Sequence, residues 1–194
     1  MSKHPRTLFL SVVGIFSISA LLVGIEGGEH SFVGSKKCKM CHMKEWKSWA
    51  ETKMAKSLIL LQPGENAEAK KAAGLDPKRD YTKDETCLTC HSTGYGQEGG
   101  FADLESTPNL AGVGCEMCHG AGGTYIKKQY MSLTNKEYKK AELIEVGLVG
   151  EITMERCVGC HNTDSPFVGD DYEFDFELNK EKGTHEKFPM KYQH

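Results

Sequence analysis

Apolar residues run almost unbroken from Leu8 to Ile25 and then thin out, so the chain divides into a hydrophobic leader and a polar remainder. Within the remainder, apolar positions recur at helical spacing over 38–61. Trp46 and Trp49 stand three apart there, and Leu58, Leu60 and Leu61 lie just before Pro63-Gly64, which predicts one helix over that span. A second, short helix is predicted over 66–73, stopped by Gly74 and Asp76-Pro77, and a third over 135–146. The stretch 170–178 alternates polar and aromatic residues, the pattern of a short strand or an extended strap. Glycines crowd 94–100 and 112–123, where regular structure is not expected. The predicted fold class is mainly α with much irregular structure.

The leader has the charged-then-apolar order of an export segment, because Lys3 and Arg6 precede the run. Its length suits either a signal peptide or a retained membrane anchor, and no A-x-A cleavage site follows. Residues 1–28 are therefore assigned to a signal peptide or N-terminal membrane anchor and 29–194 to one domain outside the cytoplasm, periplasmic or tethered to the membrane. The chain carries a net charge of −3, and setting aside Lys3, Arg6 and Glu26 with the leader makes the remainder slightly more acidic. An acidic domain argues against nucleic acid as a partner. The chain is 39% hydrophobic, and much of that share lies in the leader. What is left is too polar for an ordinary core, so something other than side chains is expected to fill the interior.

The cysteines supply the candidate. All 8 fall in four copies of one pattern: Cys38-Lys-Met-Cys41-His42, Cys87-Leu-Thr-Cys90-His91, Cys115-Glu-Met-Cys118-His119 and Cys157-Val-Gly-Cys160-His161. Four disulfides are the bland reading in an exported protein, but disulfides give no reason for a histidine after every second cysteine. Zinc uses paired thiolates but does not need the adjacent imidazole four times over. Covalent haem needs all three residues: two thiols bond the vinyl groups of one porphyrin, and the imidazole falls beneath its iron. The pattern implies four covalently attached haem c groups, with His42, His91, His119 and His161 as proximal ligands, in one compact multihaem cytochrome c domain. Four apolar macrocycles also account for the thin core. The glycine-rich stretches lack the GK[ST] of a phosphate loop and are read as close backbone approach to a haem face.

Each iron has a second axial position, and few donors remain. His4 lies in the leader and His194 is the last residue, which leaves His30 and His185 for four irons. Methionine serves at some haems or some stay open. Met40 and Met117 sit inside attachment loops, off the distal face, so Met54, Met131 and Met154 are the thioether candidates.

These residues resemble the tetrahaem cytochrome c-554 family from about Phe32 to Phe188. Besides the four motifs, the resemblance is carried by 32–38, by Ser48-Trp49, Thr52 and Ala55-Lys56, by 75–82, by Gly94-Tyr95-Gly96-Gln97 with Gly99-Gly100, by Gly112-Val113-Gly114-Cys115-Glu116 and by Glu155-Arg156-Cys157. It implies a periplasmic carrier that accepts electrons from hydroxylamine oxidoreductase. It also implies three haems with two histidine ligands and an open second haem held by His91 alone. His185, in Thr184-His185-Glu186, matches the family's C-terminal ligand, and Ser165-Pro166-Phe167 is similar to the residues that overhang the open haem. The chain departs from the family at two distal positions. Met54 stands where the family has a histidine before Ala-Lys, and Met131 is the nearest candidate for the one downstream of the third motif.

Electron transfer between a redox protein donor and acceptor is the leading functional expectation. An enzyme reducing a small ligand such as nitric oxide at the second haem, and a subunit of a conductive polymer, are the alternatives.

Overall fold

The computed structural model describes residues 30–190, so the expectation for the leader, as for His4 and His194, lies outside the described residues. The described chain is a succession of short helices: α1 (Ser35–Cys38), α2 (Met43–Ala50), α3 (Ala67–Ala72), α4 (Glu85–His91), α5 (Cys115–His119), α6 (Lys140–Glu145), α7 (Met154–Val158) and α8 (Phe176–Asn179). Two 3₁₀ turns, Ile59–Leu61 and Pro108–Leu110, stand among them, and a lone bridge joins Ser92 to Ala111. Among the described residues there is no strand, and no helix is long and apolar enough to cross a membrane.

The single helix expected over 38–61 is broken into pieces. The first cysteine motif closes α1 and makes His42 the N-cap of α2, with φ −106° and ψ 52°. Beyond Ala50, the Thr52 hydroxyl donates to the Trp49 carbonyl at 2.7 Å and accepts from Ala55 N–H at 3.2 Å. A side chain that bonds nearby backbone in this way offers an alternative to the helical ladder, and the chain continues in turns. The second helix is observed over Ala67–Ala72 and ends ahead of Gly74, as expected. The third is shorter than its pattern. Ser132 and Asn135 engage local backbone over 129–135, and the helix starts only after Lys139, whose N–H bonds the Glu142 carboxylate at 3.2 Å. In the tail, the Asp175 carboxylate caps Leu178 N–H at 2.8 Å and turns 176–179 into a helix instead of a strand.

The side-chain core is small. Leu58, Leu61, Tyr81, Leu88, Phe101 and Leu110 form one buried cluster around the second motif, with Phe32, Leu75 and Tyr95 against it. Buried polar groups rival it in number: Ser35, Ser57, Lys70, Ser92, Thr93, Glu116 and Thr124. The interior near the motifs is thus tied by hydrogen bonds more than by apolar packing. At two glycines, chain–chain approach explains the residue. A Cβ on Gly112 (φ 79°) would meet the Ala55 carbonyl, and one on Gly94 (φ 69°) would meet the Phe32 ring. These glycines let segments of the chain cross closely, where the sequence had suggested approach to a haem face.

Candidate functional site

Each motif folds as one helical turn. His42 N–H bonds Cys38 O and His161 N–H bonds Cys157 O, both at 2.9 Å, while the second and third motifs lie within α4 and α5. Residues i, i+3 and i+4 of a helical turn share a face, so each motif presents both sulfurs and its imidazole to the same side. None of the eight cysteines is disulfide-bonded, and among the described residues no three His, Cys, Asp or Glu converge as a metal cluster.

The third motif is the hub. Glu116, inside it and 1% exposed, accepts hydrogen bonds from Val33 N–H (2.9 Å), Gly34 N–H (2.7 Å) and Gly122 N–H (2.7 Å). Ser35 Oγ accepts from Cys115 N–H at 3.1 Å, which joins the first motif's helix to the third. Thr93, just past the second motif, donates to Gly112 O at 2.7 Å and accepts from Gly114 N–H at 2.9 Å. Arg156, in the fourth motif's helix, donates to Met117 O at 2.9 Å. Trp49 Nε1 donates to Val113 O at 3.0 Å.

The sulfurs themselves pair across motifs. The Cys38 thiol hydrogen-bonds Cys115, which pulls Cys115 down to about 6 and pushes Cys38 up. Cys160 does the same to Cys90, whose pKa falls to about 6 while that of Cys160 rises.

Two imidazoles rest their Nδ1 on a backbone carbonyl. His91 Nδ1 lies 2.8 Å from Ser57 O; a carbonyl only accepts, so the proton sits on Nδ1 and the Nε2 lone pair is free for a metal. His185 Nδ1 lies 2.8 Å from Glu186 O, with the same consequence. His185 comes from the far end of the chain and faces His119, the ring centroids 6.1 Å apart and the planes 29° from parallel. Two imidazoles bound to one iron at about 2 Å each place their centroids about 6 Å apart, so this pair fits an iron between them. Burial, with His185, His42 and Arg156 nearby, pushes the His119 pKa down and keeps the ring neutral, as a ligand must be. Phe174 stacks on His161, centroids 4.8 Å apart. Trp46 Nε1 is buried without a protein partner, an orphan donor that suits an acidic group such as a haem carboxylate.

The other candidates are placed as follows. Met54 is half-buried, its carbonyl accepts from Val113 N–H at 3.0 Å, and its methyl lies 4.0 Å from where a Cβ on Gly183 would stand, beside the segment that carries His185. Met131 is half-buried on the loop after the third motif, and Met154 is 47% exposed at the start of α7. Met117 Sδ accepts from Gly94 N–H at 3.2 Å, which keeps it off any distal face. His30 is exposed, its ring packed toward Gly147. Phe167 is 47% exposed. Ser57 and Phe174 were not singled out in the sequence, and Glu116 and Arg156 entered only among the residues that carry the family resemblance, without a structural role.

A family profile described as cytochrome c554 and c-prime matches residues 37–120. The solved reduced state of cytochrome c554 from Nitrosomonas europaea superposes with a TM-score of 0.70 at 33% identity, over 84% of this chain and 89% of that one. The chain belongs to the cytochrome c554 family. The curated cytochrome c-554 of Nitrosomonas europaea is 41% identical over 135 residues, which is 67% of this chain and 57% of that protein's length. The mainly helical, strand-poor fold is the cytochrome c554 fold, and the cofactors are four covalently attached haem c groups.

Proposed function

We propose that this member of the cytochrome c554 family is a periplasmic electron carrier, held at the membrane or released according to the fate of residues 1–28, that takes electrons from one redox protein and passes them to another. The observation that carries this reading is that the attachment motifs are hydrogen-bonded to one another: Ser35 Oγ ties the first to the third, Thr93 the second to the third, and Arg156 the fourth to the third. Redox groups fixed to motifs tied in this way stand in close succession, which suits relay of electrons through the protein.

In this reading each motif's two cysteines hold one haem and His42, His91, His119 and His161 bind the irons. Haem supplies reversible one-electron chemistry, and the chain tunes it through axial ligands and burial. His185 completes the site of His119. Ser57 O fixes His91 and Phe174 fixes His161, as outer-shell partners orient metal-bound imidazoles. Met54 and Met131 are the distal candidates at sites where the family has histidine. With His91 as its one protein ligand, the second haem would keep an open face for a small ligand.

Stopped-flow mixing of the oxidised holoprotein with a one-electron donor, followed by reoxidation, tests the reading. A carrier returns all four electrons to the acceptor without consuming nitric oxide or hydroxylamine. Steady turnover of either small molecule moves the assignment to an enzyme.

A further inference from the structure

We propose that the lysine-rimmed face around the first attachment loop docks an acidic one-electron redox protein, an inference that rests on the carrier reading above. The first attachment loop joins α1 to α2. Beside it Met40 is 73% and Met43 43% exposed, an apolar centre. The segment that carries it, 36–47, holds Lys36, Lys37, Lys39, Lys44 and Lys47, with Glu45 its one acidic residue. The chain as a whole is net negative, which makes this face a local reversal of charge.

Two of the rim lysines lie over aromatic rings. Lys39 Nζ sits 3.9 Å from the centroid of the Trp46 ring, and Lys44 Nζ lies 5.7 Å from that of Phe188. Lys36, Lys37, Lys44 and Lys47 are exposed. The opposing acidic groups are few: Glu45, which is half-buried, and Glu186, whose backbone N–H docks on Ser48 Oγ at 2.9 Å. Neither is in an ion pair with a rim lysine among those the structure records. An apolar centre inside a charged rim is the anatomy of a transient protein interface, and the rim steers the encounter. The sign selects an acidic partner. The transferred electron leaves the partner's reduced group, oxidising it by one electron, and reduces one ferric haem to ferrous.

The test uses the oxidised holoprotein and flavodoxin hydroquinone, a strongly acidic donor that becomes the semiquinone. Second-order rates are measured for wild type, for Lys36→Glu/Lys37→Glu/Lys47→Glu, for the neutral Lys→Gln triple, and for Lys127→Glu/Lys128→Glu/Lys140→Glu, which changes net charge equally elsewhere. At about 10 mM ionic strength, where the Debye length is about 30 Å, the rim Glu triple slows the reaction about tenfold or more. The Gln triple falls between it and wild type, the remote triple changes the rate less than about threefold, and the differences shrink in about 1 M salt. Equal slowing by the rim and remote triples, or no slowing by either, overturns the docking face. So does concentration-dependent self-association that the rim triple abolishes, which would assign the face to a second copy. Failure of every protein, wild type included, to accept an electron overturns the carrier reading instead.

Discussion

Replacing Glu116 with alanine removes the acceptor for three backbone donors at once. Gly34 and Gly122 N–H lie in buried surroundings, at 2.7 Å each, while Val33 N–H is partly solvated and finds water. Hydrogen bonds to a charged group contribute about 1.5–3 kcal/mol, and a buried donor left unpaired costs a similar amount. Two fully buried bonds therefore set the loss at about 3–6 kcal/mol for Glu116→Ala, a large part of the stability of a domain this size. Glu116→Gln keeps one carbonyl oxygen and turns an amide N–H₂ toward a backbone donor, so it loses about half as much. Urea unfolding of the ferric holoprotein, followed by Soret circular dichroism, measures both variants. Hydrogen exchange at the Gly34 amide reports the local contact and accelerates in each. A loss below about 1 kcal/mol for the alanine variant, with the Gly34 amide still protected, would refute the account of Glu116 as the clamp between the N-terminal segment and the third motif.

Three further outcomes are expected. Met54→His lowers one midpoint potential and removes a far-red sulfur-to-ferric absorption band, because thioether ligation favours ferrous iron; a band absent in wild type, or kept by the variant, makes Met54 packing alone. The oxidised holoprotein shows a high-spin ferric signal from about one haem in four and, once reduced, binds carbon monoxide there, whereas four low-spin haems with no uptake would close the second site. His185→Gly converts one further haem to high spin, and added imidazole restores the low-spin spectrum; an unchanged spectrum would separate His185 from His119.

The motifs were legible because attachment chemistry is local: two thiols and an imidazole must share one helical turn, so spacing alone reports them. The predominance of short helix and loop followed from the thin supply of apolar residues. Helix lengths did not, since α2 ends where Thr52 turns its hydroxyl onto its own backbone, and α8 exists because Asp175 caps it. Such choices between helix and turn rest on single side-chain bonds that periodicity does not weigh. Long-range partners were equally hidden. Nothing in the pattern near Glu116 says that its acceptors will serve Val33 and Gly34, and nothing near Ser57 says that its carbonyl will hold the His91 ring. His185 was found through its match to a family ligand, and its pairing with His119 emerged only from the fold.

The clamp at Glu116 also fixes an order of events during biogenesis. Val33 stands 83 residues before its acceptor, and Gly34 stands 82. A chain made from its N-terminus presents the first motif well before residue 116 arrives. Until then the segment ahead of Cys38 has nothing to dock on, so the N-terminal part of the domain cannot complete its fold before the third motif arrives.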